Sequence, residues 1–209
     1  MNCNLCKGRS NIFYQIKDIK YYKCSRCNSI FMCPENFLTY EEERKRYKEH
    51  NNDVEDVRYQ NFVSDIVEKV KKDWSYKNTL GLDFGAGTGP VITKLLKDHG
   101  YDVEIYDPFF CNKEKHLDKK YDYIVACEVI EHFHNPLKEF ELLYSLLKKG
   151  GKLYCKTEIY SKDIDFEYWY YKDDLTHVFF YQEEAFVWMV KNIGFIEYKI
   201  DNRVIILTK

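Results

Sequence analysis

Leu82-Asp83-Phe84-Gly85-Ala86-Gly87-Thr88-Gly89-Pro90 joins an apolar strand run, Leu80 to Phe84, to a helical run, Val91 to Lys97. Glycines at a strand-to-helix turn let the backbone approach a ligand closely, and in open α/β sheets the ligand sits beyond the carboxyl ends of the strands. Dinucleotide folds carry Gly-x-Gly-x-x-Gly at this turn. Here the sixth position is Pro90. Proline suits the first turn of a helix but has no amide hydrogen to offer a pyrophosphate. The loop therefore argues against NAD.

Outward from the loop, strand and helix runs alternate: Val103 to Tyr106, Tyr123 to Cys127, Leu137 to Leu147, Lys152 to Lys156 and Glu183 to Asn192. Such alternation predicts an α/β fold with a Rossmann-like, mostly parallel sheet covered on both faces. Two last strands, Phe195 to Ile200 and Arg203 to Leu207, meet at Asp201-Asn202, a connection short enough only for an antiparallel hairpin. The 15 residues Pro108 to Asp122 cannot hold a helix, a strand and a second helix, so the sheet is expected to have one strand shortened or missing there. Upstream, Glu41 to Lys72 is charged and helical, with Phe62, Ile66, Val67 and Val70 near 3.6-residue spacing, and reads as a connector helix.

Eight cysteines without a secretory pattern point to reduced thiols. Cys3-x-x-Cys6 and Cys24-x-x-Cys27, 17 residues apart, have the spacing of a four-cysteine zinc site, with a redox dithiol as the alternative. Each pair supplies two thiolates from a tight turn, and four leave no open position, so Zn2+ there would be structural. About 35 residues bury too little apolar surface to fold unaided, so the metal would carry much of the folding free energy. Phe13, Ile16 and Tyr22 are expected to cover it. Cys127 and Cys155, in apolar runs, read as small core residues, and Cys33-Pro34 as a turn.

The 209 residues are 45% hydrophobic and 32% charged, which excludes disorder as the dominant state. Thirty-two basic against 34 acidic side chains, a formal charge of −2, lack the basic excess of a nucleic-acid binder. No apolar window is long enough to span a membrane, and the start of the chain lacks a basic-then-apolar leader, so a cytoplasmic protein is expected. The expected organisation is a zinc-ribbon module over 1–40, connector helices over 41–76 and a catalytic domain over 77–209.

From Leu80 to Thr208 the chain resembles the class I S-adenosylmethionine-dependent methyltransferases. Asp83 to Gly89 are similar to that family's cofactor loop, and Asp107 to the acidic residue that accepts hydrogen bonds from both ribose hydroxyls. Cys127-Glu128-Val129-Ile130-Glu131-His132 resembles the segment bordering the cofactor, and Lys149 to Leu153 the turn before the fifth strand. The ribbon, Arg46-Tyr47, His50-Asn51-Asn52, Tyr59, Tyr106 to Phe110 and Asp174 to Val178 resemble a bacterial group of methyltransferase-domain proteins. The resemblance implies S-adenosylmethionine as cofactor, held by Asp83, Gly85, Ala86, Gly87, Gly89, Asp107, Pro108, Cys127 and Glu128. The short stretch before Tyr123 removes the family's usual adenine contact, for which Asp118 is the remaining acidic candidate.

Methyl transfer from a sulfonium is an in-line displacement, in which the protein positions the acceptor and, where needed, removes its proton. The family's methylators of adenine or glutamine carry Asn or Asp before Pro-Pro and an aromatic where this chain has Cys127-Glu128-Val129-Ile130, which argues against those acceptors. His132 and His177 are the candidate bases, because histidine exchanges a proton near neutral pH. Tyr47, His50, Tyr59 and Tyr171 are candidate acceptor contacts, with half-buried packing as the alternative for each tyrosine; Trp169 and Tyr170 flank Tyr171. The expected function is methyl transfer to a small-molecule or saccharide-type acceptor. Ribosomal RNA base methylation and a non-catalytic cofactor-sensing or protein-binding module are the alternatives, separated by salt-sensitive RNA binding and by turnover.

Overall fold

The computed structural model describes residues 1–49, 53–75 and 78–209. Its central sheet contains β4 (Leu80–Phe84), β5 (Asp102–Tyr106), β6 (Tyr121–Cys127), β7 (Leu147–Lys156), β9 (Glu197–Asp201) and β10 (Val204–Thr208), in the order β5-β4-β6-β7-β10-β9. The first four run parallel, and β10 is antiparallel to both neighbours. The expected gap is present: between β5 and β6 the chain makes only a short 3₁₀ turn, Glu114–Asp118. β4, which precedes the glycine loop, thus lies between β5 and β6, and its carboxyl end opens where the strand order reverses.

Both faces of the sheet are covered, as a near-continuous apolar run in a central parallel strand requires. Along β6, Tyr123 and Val125 pack with Val63, Ile66, Val67 and Val70 of α2 (Val57–Asp73) and with Val91, Ile92 and Leu96 of α3 (Val91–Asp98). Ile124 and Ala126 point the other way, to Phe140, Leu143 and Leu146 of α4 (Pro136–Leu146) and Ala185, Phe186 and Met189 of α5 (Glu183–Asn192).

The connector is two helices, not one. α1 (Tyr40–Glu49) starts at a Thr39–Glu42 capping box, in which the Glu42 carboxylate accepts from Thr39 N (2.8 Å) and Thr39 Oγ1 (2.7 Å). α2 starts at Asp56, whose carboxylate accepts from Arg58 N at 2.9 Å. The apolar stripe belongs to α2 alone, whereas the buried side chain of α1 is Glu43.

A second, antiparallel sheet is formed by β1 (Ser10–Ile16), β2 (Ile19–Cys24) and β3 (Ile30–Met32), with β8 (Phe179–Phe180) adding to β3. The N-terminal ribbon is therefore completed by the segment between β7 and α5. Tyr21, Ile30 and Met32 bury against Tyr160, Phe166, Trp169, Val178 and Phe180 of that segment. The cover expected over the cysteines is different in detail: Ile16 is 42% exposed at the hairpin tip, and Phe13, 36% exposed, lies at a β-bulge between Ile12 and Tyr14 and meets Tyr160 and Phe166 edge-on, while Tyr22 does pack on the cluster that contains the four cysteines.

Candidate active site

A cavity of about 1350 Å³ opens at the carboxyl ends of β4, β5 and β6. One end is made of backbone. Gly85 and Gly87 adopt φ of +78° and +63°, the left-handed region that glycine enters without strain. A Cβ on Gly85 would stand 2.5 Å from Val129 Cγ2, so this turn also needs the missing side chain. Gly85 N donates to Tyr106 O at 2.8 Å, fixing the loop to the end of β5.

Asp107 ties the same region together. Its Oδ2 accepts from Gly87 N (2.8 Å), and its Oδ1 from Phe109 N (2.8 Å) and Phe110 N (2.9 Å). A carboxylate has about four acceptor positions, so three are committed to the loop and one is left for a ligand. Asp83 accepts from Thr93 Oγ1 at 2.7 Å, and burial pushes its carboxyl up to about 6, with the Asp107 charge adding to the effect. All nine residues proposed from the sequence to hold the cofactor, Asp83, Gly85, Ala86, Gly87, Gly89, Asp107, Pro108, Cys127 and Glu128, line this cavity. Asp118 does not line it; the wall there is Tyr106 to Phe110, with Phe109 stacked on Tyr40 (centroids 4.7 Å apart).

The other end is made of side chains. Glu128 sits at φ +52° after β6 and pairs with Arg203 Nη2 at 2.8 and 2.9 Å. Tyr171 Oη donates to Glu131 Oε1 at 2.5 Å and lies 3.2 Å from Glu128 Oε2 and 3.1 Å from Thr157 Oγ1. Burial, then repulsion from Glu131, pushes the Glu128 carboxyl up to about 8. Burial likewise raises that of Glu131. His132 Nδ1 lies 2.9 Å from Thr176 O and His177 Nδ1 2.6 Å from Tyr171 O, with the two rings 4.8 Å apart. Burial and the neighbouring His132 lower the His177 pKa, which favours the neutral ring.

His132, His177, Tyr47, Tyr59 and Tyr171 all line the cavity. Tyr47 meets His132 edge-on at 5.2 Å, and Tyr59 stacks on Phe62 at 5.8 Å. Tyr170 also lines it, whereas Trp169 turns into the aromatic cluster under the ribbon and donates to Glu158 at 2.9 Å. Cys155 is a core residue, but Cys127 is a wall of the cavity. His50 lies outside the described residues.

Part of the end wall is held by long-range ion pairs that no single motif shows, although Arg46 and Asp174 both lie in stretches that carry the family resemblance. Arg203 stands in the hairpin loop, 75 residues from its partner Glu128, and nothing local marks it. Arg46 of α1 grips Asp174 through Nε (3.1 Å) and Nη2 (2.9 Å), and hydrogen bonds from Thr176 and Arg46 outweigh burial to hold the Asp174 carboxyl well below its usual range. Glu131 was legible in part, as a second acid three residues after Glu128.

The four cysteines lie away from the cavity, all buried, with their sulfurs within 4.8 Å of one another. Cys6 Sγ is 3.3 Å from Cys24 Sγ and Cys3 Sγ is 3.7 Å from Cys27 Sγ. A cation about 2.3 Å from four tetrahedral thiolates would set them about 3.8 Å apart, so the cluster fits a metal with little movement. Gly8 N and Arg26 N donate to Cys6 Sγ (3.4 Å) and Cys24 Sγ (3.3 Å). Both pairs close on left-handed residues, Lys7 at φ 58° and Asn28 at φ 55°. Asn28 Nδ2 donates to Glu184 at the start of α5 (2.7 Å), and Asn4 Nδ2 to His134 O (2.9 Å), so the cluster is anchored to the main sheet's layers.

A family model described as a methyltransferase domain matches residues 56–196. No curated protein matches the chain. Among solved structures, the 1,6-didemethyltoxoflavin-N1-methyltransferase of Burkholderia thailandensis, with bound 1,6-didemethyltoxoflavin and S-adenosylhomocysteine, is 12% identical, with a TM-score of 0.59 over 95% of this chain and 99% of that one. The magnesium protoporphyrin IX methyltransferase of Synechocystis PCC 6803, with bound S-adenosylmethionine, is 16% identical (TM-score 0.52; 84% and 94% covered). An O-methyltransferase family protein of Burkholderia thailandensis is 13% identical (TM-score 0.54), with 79% of this chain covered and only 61% of that chain spanned. At these identities the likeness is one of fold. Among the described residues no helix is long and apolar enough to cross a membrane.

Proposed function

Because the chain belongs to the methyltransferase-domain family, a group of S-adenosylmethionine-dependent enzymes, we propose that it transfers the methyl group of S-adenosylmethionine to a small-molecule or saccharide-type acceptor. The observation that carries this reading is the continuity of the cavity: one space is walled by Gly85 to Gly89 and Asp107 at one end and by His132, His177, Tyr47 and Tyr171 at the other. Structures of similar fold hold 1,6-didemethyltoxoflavin with S-adenosylhomocysteine, or S-adenosylmethionine, which supports both the cofactor and a small-molecule acceptor.

The loop amides and the remaining acceptor position of Asp107 would take the cofactor's polar groups, with the aromatic wall from Tyr106 to Phe110 beside them. The acceptor atom then attacks the methyl carbon in line, and the carbon–sulfur bond breaks with its electron pair left on sulfur. The protein's part is to align the two and keep water out. His132 and His177 form the end at which the acceptor is activated. A backbone carbonyl only accepts, so both Nδ1 atoms carry protons, which places the lone pair of each neutral ring on Nε2.

In the same reading the four-cysteine cluster holds a structural Zn2+, which supplies folding free energy, and residues 1–40 form a ribbon that braces the 157–181 segment from outside. Methyl-labelled S-adenosylmethionine incubated with the zinc-loaded chain and fractionated acceptor pools tests the proposal. Label is expected in the small-molecule or saccharide fraction. Label confined to RNA, or none in any pool, would overturn it.

A further inference from the structure

Away from the cysteine cluster, metal-ligating groups converge at one other place among the described residues: Glu131, His132 and His177 each offer one ligand atom, all within 4.8 Å of one another. We propose that these three side chains hold a divalent first-row cation whose open positions take an oxygen of the methyl acceptor. The proposal deepens the methyltransferase reading above and rests on it.

Three observations carry it. The first is the tautomer. Nδ1–H of His132 and of His177 donates to a backbone carbonyl, Thr176 O at 2.9 Å and Tyr171 O at 2.6 Å. Metal-ligating histidines are oriented in this way, with the second ring nitrogen turned to the metal. The second is Glu131. It is fully buried, its Oε1 accepts from Tyr171, and its Oε2 makes no hydrogen bond of good geometry, although the Thr157 hydroxyl and its own backbone amide lie near the carboxylate. A buried carboxylate oxygen left without a good partner is destabilising, and coordination would satisfy it.

The third is placement. His132 and His177 line the cavity and Glu131 lies behind them, so a cation held by all three has protein on one side and the acceptor space on the other. Two imidazoles and one carboxylate are the donor set of catalytic sites that keep open positions, in contrast to the closed four-thiolate cluster. Ligands on a common cation stand roughly 3 to 3.5 Å apart, so binding would draw together three atoms that now lie within 4.8 Å of one another.

Such a cation lowers the pKa of an acceptor hydroxyl. The hydroxyl releases its proton to water, its oxygen forms the new bond to the methyl carbon, and the carbon–sulfur bond breaks with the electron pair remaining on sulfur. The site thus selects oxygen as the acceptor atom.

The test is a titration of the zinc-loaded full chain with Mn2+, which favours oxygen and nitrogen over thiolate ligands, followed by the electron paramagnetic resonance signal of free Mn2+. The expected result is retention of one Mn2+ per chain, weakened at least tenfold in Glu131→Gln and in His177→Asn while both variants still bind S-adenosylhomocysteine. In the wild type, bound Mn2+ is also expected to broaden the imidazole proton signals of His132 and His177 before those of the other histidines, a readout that needs no variant. A wild-type chain that binds S-adenosylhomocysteine but leaves Mn2+ free, or broadening centred elsewhere, overturns the cation site and leaves the methyltransferase reading standing. Failure to bind S-adenosylhomocysteine would overturn that reading itself.

Discussion

At one end of the cavity, Gly85 to Gly89 and Asp107 to Phe110 present backbone amides and left-handed glycines drawn from 26 consecutive residues. At the other, α1, the turn after β6, the 171–177 segment and the hairpin tip all contribute side chains. The first end is fixed by local conformation and can serve the same ligand in many proteins. The second is fixed by long-range pairs such as Arg203–Glu128 and Arg46–Asp174, so it can change its ligand by changing side chains. A methyltransferase needs this division, because its donor is constant and its acceptor is not.

The cysteine cluster bears on the side-chain end, because β8 belongs to the ribbon's sheet and leads directly from His177. Cys24→Ser is expected to destabilise the chain by on the order of 5 kcal/mol, the scale of a lost structural metal. Chemical denaturation and zinc content would show it. If zinc is lost while stability and acceptor-end function persist, the ribbon does not brace that end.

Gly85→Ala strikes the backbone end. The left-handed φ costs about 1–2 kcal/mol for a residue with a Cβ, and the 2.5 Å approach to Val129 adds to it. S-adenosylhomocysteine affinity should fall at least tenfold, and adding Val129→Ala should restore the part due to the clash. Full affinity in the single variant would mean that the loop's geometry is not what binds.

At pH 9, where Glu128 is ionised, Arg203→Met leaves it without its cation. Both partners keep some exposure, side chains at 31% and 25%, so the loss should be about 1–3 kcal/mol, below that of a fully buried pair. Glu128→Gln in the same chain should recover most of it in urea denaturation. No recovery would place Arg203's contribution elsewhere, for instance on the Phe62 and Tyr171 rings that it also faces.

The sequence revealed these two ends unequally. The loop, the hairpin and the missing strand could be read because each is encoded within a short window, by glycine, by turn length or by available chain. The two-residue strand β8 has no periodicity to read, and its pairing with β3 joins residues about 150 positions apart. The break between α1 and α2 was legible in His50-Asn51-Asn52-Asp53, poor helix formers that the charged, helical flanks obscured, and in the confinement of buried apolar residues to 63–70. Of the acceptor-end residues, the histidines were visible by chemistry, whereas Arg203 became visible only once β10 lay beside β7.

A smaller effect concerns pH. Asp83 holds its proton up to about 6, against 3.8 in an exposed carboxyl. The folded state therefore binds a proton that the unfolded chain has released between about pH 4 and 6. Stability from this group falls as pH rises through that window, by on the order of 2 kcal/mol, and stays lower above it. Asp83→Asn keeps an oxygen for Thr93 and should flatten the slope, most visibly as added stability at pH 8. An unchanged slope would assign the pH dependence to another group.

Calorimetric titration of the zinc-loaded chain with S-adenosylhomocysteine, beside NADH and an Asp107→Asn variant, decides whether the glycine loop is a methyl-donor site. One equivalent of S-adenosylhomocysteine should bind, NADH should not, and the variant should lose most of the affinity, because its amide nitrogen would face loop N–H donors in place of a carboxylate oxygen. Preference for NADH, or binding indifferent to Asp107, would contradict the reading of Gly85 to Gly89 on which the proposed activity stands.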